Sequence, residues 1–197
     1  MNKFVCSAAA LLLLAACAQT NLPVRNTWSP VADVGDFSGE GRLAVKVEQK
    51  GSYGNFDWSY QNKVQTINVN TPLGNTVGQL CQDRLGVLAV DAKGRVYEAD
   101  TAEELSSMLL GYALPVQYLH IWAHGNRVAD VPYRITEDGR LEQFGWRISR
   151  TSDGNGQVRT LLLEDDKLSV RLVFDEISYA SDGSHEELCA ARQKDKQ

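Results

Sequence analysis

The stretch Asn55-Phe56-Asp57-Trp58-Ser59-Tyr60 sets polar and aromatic residues in strict alternation, and that alternation decides the fold. A period of two puts Phe56, Trp58 and Tyr60 on one face of an extended strand and Asn55, Asp57 and Ser59 on the other. The pattern continues upstream in Leu43, Val45 and Val47 and downstream in Ile67 and Val69. Successive strands with one buried face follow. Further strands are predicted over Val87 to Val90, Arg95 to Ala99, Tyr133 to Ile135, Glu142 to Arg150, Val158 to Leu163 and Leu168 to Ser178.

Turn chemistry falls between these runs at hairpin spacing: Lys50-Gly51, Asn62-Lys63, Lys93-Gly94, Asp138-Gly139 and Asp153-Gly154-Asn155-Gly156. The topology is therefore an antiparallel meander of about eleven strands. Gly39, Gly41, Gly51, Gly54, Gly74 and Gly78 lie in or beside strands, where they permit bulges and coiling. A curved sheet or open barrel fits them better than a flat one.

The meander is interrupted by helical signals. Thr101-Ala102-Glu103-Glu104 reads as a capping box, with Leu105, Met108, Leu109 and Tyr112 on one face and Glu103, Ser106 and Ser107 opposite, up to Gly111. A second helix is expected from Pro115, with Val116, Leu119, Trp122 and Ala123 on its apolar stripe and Gly125 as its stop. Two amphipathic helices must lie against the sheet, either across one mouth as a lid or on its convex back. A lid creates a cavity.

The chain of 197 residues is 43% hydrophobic and suits one globular domain. With 20 basic against 25 acidic residues, a net charge of −5 and no dense basic cluster, a nucleic-acid partner is disfavoured.

The N-terminus carries one cation at Lys3, then an apolar run from Val5 to Ala16 that is too short to span a bilayer. Leu14-Ala15-Ala16-Cys17 resembles a bacterial lipobox, which implies a signal peptide over 1–16 and acylation of Cys17. Ala18, rather than an aspartate, follows the cysteine, which by resemblance to enteric sorting signals points to the outer membrane. Residues 17–27 then form a polar, Pro-containing tether, and the folded domain is expected over 28–180. The polar segment Ser181 to Gln197 is expected to stay disordered. Cys81 and Cys189 remain as thiols in an oxidising compartment. They can pair, or Cys81 can be a small core residue and Cys189 free.

Catalytic and metal-binding patterns are thin, and neither an enzyme activity nor a cofactor is expected. His120 and His124 stand four apart, but Ile121 occupies the place where a zincin helix needs glutamate. The pair reads as a surface or lid-edge feature. Glu164-Asp165-Asp166 reads as a solvated turn, and Gly39-Glu40-Gly41 lacks the third glycine of a nucleotide fingerprint. Arg42, Lys46 and Arg147 alternate with apolar neighbours and read as outer-face charges.

A resemblance gathers these segments. Phe37-Ser38-Gly39-Glu40-Gly41-Arg42-Leu43-Ala44-Val45, Asn55-Phe56-Asp57-Trp58, Thr71-Pro72-Leu73-Gly74-Asn75, Ala102-Glu103-Glu104-Leu105, Leu114-Pro115-Val116 and Trp122-Ala123-His124-Gly125 together resemble the LolB family. Gly145-Trp146-Arg147-Ile148 and Val170-Arg171-Leu172-Val173 extend the match to about Tyr179.

The resemblance implies a mainly β fold, an unclosed antiparallel barrel with a small α-helical lid over a hydrophobic cavity. It also implies an outer-membrane receptor, anchored through Cys17 in the inner, periplasmic leaflet. Such a receptor accepts acylated lipoproteins from the periplasmic carrier LolA and inserts them among outer-membrane lipids. A monomer is expected.

Candidate lining residues for the acyl cavity are Leu43, Val45, Phe56, Trp58, Ile67, Leu105, Leu109, Leu119 and Trp122, although plain core packing would use the same residue types. Thr71-Pro72-Leu73-Gly74-Asn75 reads on its own as a tight turn with leucine near its tip, Pro72 stiffening the approach and Gly74 allowing positive φ. By the resemblance Pro72, Leu73 and Gly74 form a membrane-insertion loop; otherwise Leu73 folds back on its strand. The competing function is a periplasm-facing binder of free lipid or another hydrophobic ligand, without lipoprotein transfer.

Overall fold

A computed structural model describes residues 27–180 and 187–194. The signal segment, Cys17 and all of the tether except Thr27 lie outside the described residues. The chain runs β1 (Ser29–Val31), β2 (Phe37–Val47), β3 (Lys50–Gln61), β4 (Val64–Asn70), β5 (Thr76–Asp83), β6 (Gly86–Asp91) and β7 (Val96–Ala99). The lid follows: α1 (Ala102–Leu110), a 3₁₀ turn over Val116–Tyr118 and α2 (Leu119–Ala123). Then come β8 (Asn126–Val128), β9 (Arg134–Ile135), β10 (Leu141–Gln143), β11 (Trp146–Ser152), β12 (Val158–Glu164), β13 (Leu168–Tyr179) and α3 (Ala190–Lys194).

Eleven strands form one antiparallel sheet in the order β7-β6-β5-β4-β3-β2-β13-β12-β11-β10-β9, with β7 and β9 as unpaired edges. The barrel is unclosed, as expected from the glycine-rich meander. Its curvature has a visible cause at Gly41, which faces the bulge in β13 between Phe174 and Glu176. A Cβ on Gly41 would sit 2.0 Å from the Val173 carbonyl oxygen, and one on Gly54 would sit 2.5 Å from that of Asn70. Only glycine lets the backbones come this close, and the strands coil there.

Register divides the sheet into two faces. Phe56, Trp58 and Tyr60 share the concave face with Leu43, Val45, Val69, Ile67 and Gln65 across the ladder. This face packs against the lid in a single core cluster. The convex face is polar along most of its length.

Two turns differ from the sequence reading. β2 and β3 join through Glu48-Gln49, and Lys50-Gly51 lies inside β3. The run Glu142 to Arg150 is not one strand, because Phe144 and Gly145 both adopt positive φ, 52° and 80°, and make a two-residue hairpin between β10 and β11. A phenylalanine hides this turn because left-handed backbone is rare for such a residue. A further short sheet, β1 parallel to β8, also has no signal in the sequence.

The expected disorder of the whole tail is corrected for residues 187–194. Cys81 and Cys189 form a disulfide, and Cys189 is buried with Cys81 and Leu88 in a satellite core on the convex face. The buried carboxylate of Asp83 accepts the Cys189 backbone N–H at 2.8 Å and Arg192 Nε at 3.2 Å, while Arg192 Nη1 reaches Glu98 at 3.0 Å. A polar composition hid a segment whose order comes from one covalent bond and one buried carboxylate.

Two outcomes follow. Replacing both Cys81 and Cys189 by serine lowers unfolding stability in urea by about 2–4 kcal/mol, and trypsin cleaves after Arg192 far faster in the variant or under reductant. Gly41→Ala costs about 2–3 kcal/mol, whereas Gly51→Ala, with open space around the new methyl group, changes stability by less than about 1 kcal/mol; thermal unfolding of the two variants checks the contrast.

Candidate functional site: a capped apolar trough and its loop

The lid covers one end of the concave face. Thr101 caps α1 by accepting the Glu104 N–H at 3.1 Å, and Gly111 ends the helix at φ +80°. The core-facing stripe of α1 is Ala102, Leu105 and Ser106. Ser106, which the sequence places on the polar face, is buried because its hydroxyl accepts the Leu114 N–H at 2.8 Å. Leu109, expected in the cavity, is 39% exposed together with Met108, Leu110 and Tyr112. The helix packs against β6 and the edge strand β7, so its last turn overhangs the sheet.

α2 is shorter than predicted and buried on every side, with Leu119, Ile121 and Trp122 in the core and His120 beside them. The lid is tied down by side chains of the sheet. Gln65 Nε2 donates to the Val116 carbonyl at 2.9 Å, and Arg150 Nε donates to the Ala123 carbonyl at 2.6 Å. Gln143 accepts from Trp122 Nε1 at 3.1 Å and from the Val128 N–H at 3.0 Å.

Of the surface and lid-edge readings of His120 and His124, the surface one is corrected: His120 is buried within α2 and His124, at its C-cap, is half-buried. His120 stacks on Tyr60 at 4.4 Å, and its Nε2 lies 3.7 Å from the Asp33 carboxylate, which also accepts the Tyr60 hydroxyl. His124 packs edge-on against Phe37 and Tyr179. Burial lowers the His120 pKa to about 4, with Asp33 opposing the shift, and burial also lowers that of His124. Among the described residues no group of three His, Cys, Asp or Glu side chains is placed to hold a metal ion.

The predicted lining residues sort by position. Phe56 and Trp58 of the sheet and Leu105, Leu119 and Trp122 of the lid belong to one core cluster and are fully or almost fully buried. Phe56 and Trp58 pack on Phe174, and Trp58 on Phe37. Leu43, Val45 and Ile67 are only half-buried. Leu43, Val45, Val47 and Val69 form the half-open part of the trough at the end where the β4–β5 hairpin turns, whereas Ile67 stands opposite Trp58, further from the loop.

That hairpin carries Thr71 to Asn75. Gly74 N–H donates to the Thr71 carbonyl at 2.9 Å, Thr71 N–H donates to the Asn75 carbonyl at 2.8 Å, and Gly74 has φ +87°. Asn70 roots the loop: its Nδ2 donates to Asp57 at 2.6 Å and its Oδ1 accepts the Thr76 hydroxyl at 2.9 Å. Leu73 stands 90% exposed on this rigid base, so it does not fold back on its strand.

A curved, open antiparallel sheet with an apolar concave face, capped at one end by helices and flanked at the other by an exposed leucine, defines a lidded half-barrel. The family described as "Outer membrane lipoprotein LolB" matches residues 35–176. The chain belongs to this LolB family of outer-membrane lipoproteins. It is 59% identical over 190 residues to the outer-membrane lipoprotein LolB of Neisseria meningitidis serogroup A, covering 96% of this chain and 98% of that protein. It is 36% identical over 144 residues to the outer-membrane lipoprotein LolB of Chromobacterium violaceum, covering 73% and 79%. Among solved structures it is similar to a LolA superfamily protein from Nitrosomonas europaea, with a TM-score of 0.44, 6% identity and coverage of 81% of this chain and 91% of that one.

The buried histidines give the lid a pH dependence with a definite sign. A folded pKa near 4 against 6.5 in the unfolded chain means that the unfolded state binds the extra proton, so stability is lost as pH falls from about 6.5 towards 4. Between pH 6.5 and 5 the loss attributable to His120 is about 2 kcal/mol. His120→Phe keeps the stack on Tyr60 and flattens this part of the profile, as urea titrations at pH 7 and pH 5 check.

Proposed function

We propose that this protein is the outer-membrane receptor that takes acylated lipoproteins from the periplasmic carrier LolA and inserts them into the membrane, acting by transfer and without catalysis. The observation that carries the reading is the exposed Leu73 beside the half-open end of an apolar trough. Acylated Cys17 anchors the chain in the periplasm-facing leaflet, and the domain works there as a monomer.

The physics makes a receptacle necessary. At about 0.8 kcal/mol per CH₂, one acyl chain of roughly sixteen carbons costs about 12 kcal/mol to expose to water. Passing from one apolar trough to another keeps it dry, and each 1.4 kcal/mol of extra affinity over the carrier favours transfer about tenfold.

Leu43, Val45 and Val69 offer the first apolar surface to an entering chain, with Ile67 deeper, opposite Trp58. Deeper entry requires the lid to yield, because Leu105 and Trp122 of the lid pack with Phe56 and Trp58 of the sheet in one filled core. Trp58 Nε1 is buried there without an acceptor among the described residues, and a carbonyl of the acylated cargo would supply one. Delivery falls to Leu73: full burial of one leucine contributes about 1.5–3 kcal/mol, which steers the domain onto lipid and leaves anchoring to Cys17.

The test mixes acylated lipoprotein bound to its carrier with the mature chain and then with liposomes. Cargo is expected to move to this protein and on into the bilayer. Leu73→Glu is expected to accept cargo normally and to slow its release into liposomes at least tenfold. Cargo that stays on the carrier while free fatty acid binds would replace this reading with that of a general lipid binder.

A further inference from the structure

The convex face carries a second apolar feature, away from the trough. Arg171 of β13, Ala44 of β2 and Tyr53 of β3 lie opposite one another in a single row across three strands. The middle residue is the smallest, so a trough about 10 Å wide, two strand spacings, separates a guanidinium from a phenol ring. The next row, Val173-Arg42-Asn55, extends its floor, and Pro72 of the loop closes its end. The depression measures about 280 Å³ and is lined by Arg42, Ala44, Tyr53, Pro72, Arg171 and Val173 among others. Tyr53 is 81% exposed.

Charge on this face is segregated along the strands. Two rows from Ala44, on the side away from the loop, Glu176, Glu40 and Asp57 stand side by side, lining a depression of about 330 Å³ with Ser178. At the loop end the convex-facing charges of β2 and β13 are Arg42, Lys46 and Arg171, with Asp175 binding Arg42 at 2.8 and 3.2 Å. That grip uses Nε and Nη2 of Arg42 and, among the described residues, leaves the Nη1 donors over. Glu48, Asp165 and Asp166 sit in the neighbouring turns. The loop end mixes cations with acids and carries an exposed tyrosine and leucine, whereas the other end is a row of carboxylates, so the loop end is the less acidic of the two and the one that favours a layer of lipid phosphates.

We propose that the groove formed by Arg171, Ala44, Tyr53 and Pro72 docks a phospholipid of the membrane surface. The phosphate is held by the Arg171 guanidinium with help from Arg42. The glyceryl and upper acyl carbons lie over Ala44 and Val173, and the Tyr53 ring sits at the headgroup level, where one end of the phenol is wet and the other apolar. The groove abuts the loop through Pro72, so a docked lipid directs Leu73 into the adjacent bilayer. This rests on the reading that Leu73 meets the membrane, and it is independent of how cargo is captured.

All four native tryptophans are buried, at 0–6% exposure, so Tyr53→Trp introduces an exposed fluorophore into the groove. The mature acylated chain carrying Tyr53→Trp is reconstituted in phosphatidylethanolamine–phosphatidylglycerol vesicles whose acyl chains are brominated near the glycerol. Strong quenching is expected at position 53, with little for the Ser178→Trp variant at the carboxylate end. Adding Arg171→Glu is expected to cut the quenching at 53 about tenfold at low salt, and Arg171→Lys to retain most of it. Equal quenching at 53 and 178, or no change with Arg171→Glu, overturns the proposal.

Acceptance of cargo from the carrier in solution separates the two readings. It is expected to be unchanged in Arg171→Glu; its loss would assign the groove to the carrier and overturn the lipid assignment. If the unaltered chain takes no cargo while groove quenching persists, the transfer reading fails and the lipid site stands.

Discussion

The rest of the structure depends on the close approach of β2 to β13 at Gly41. A sheet of eleven strands lying flat would offer two similar faces and no interior. With 2.0 Å between a hypothetical Cβ on Gly41 and the Val173 carbonyl, only the absence of a side chain lets the central strands coil. Coiling turns the alternation of Phe56, Trp58 and Tyr60 into a concave wall. That wall is too wide for its own side chains to fill, so it must be covered, and the connection between β7 and β8 supplies the cover.

The cover is fastened in an uneven way. Under it the contacts are largely aromatic and aliphatic, yet several of its direct ties to the sheet are polar: Gln65 to Val116, Gln143 to Trp122, and Arg150 to Ala123. A net hydrogen bond of this kind contributes about 0.5–1.5 kcal/mol, so the lid is specified in position more than it is bonded in strength. An apolar chain entering beneath it would replace aromatic contacts with others of similar character, while each polar tie would have to be broken or shifted. The neutral buried His120 belongs to the same economy, because a charged imidazole there would have to be solvated or paired.

The sheet was legible because period-two alternation and hairpin turns are local signals, and the loop was legible because Pro72 and Gly74 constrain backbone directly. What escaped was set by distant partners. Phe144 takes positive φ with its ring stacked on Tyr118 at 4.3 Å. β1 finds β8 across ninety-odd residues of chain, a number that follows from pairs such as Ser29 with Asn126. The order of residues 187–194 hangs on Cys81 and Asp83, more than a hundred positions away. Leu109 was misplaced for a geometric reason: helical periodicity says which residues share a stripe and not how far the sheet extends beneath it.

The fold thus separates its tasks by face and by end. The concave face gathers nearly all of the buried apolar residues, and the tail with its disulfide occupies the convex face of β4 to β7, at the opposite end from Leu73. Among the described residues no helix covers the loop end, where the half-buried Leu43 and Val45 of one face, the exposed Tyr53 of the other and the exposed Leu73 lie close to the same hairpin. Each is weakly apolar by the standard of a core. A single leucine worth about 1.5–3 kcal/mol shifts a membrane contact roughly ten- to a hundredfold, enough to bias where an apolar chain leaves and too little to trap the domain in lipid. On the transfer reading proposed above, a larger patch would hold the bilayer tightly and compete with the cargo for the same surface, and the modest size of this one avoids both.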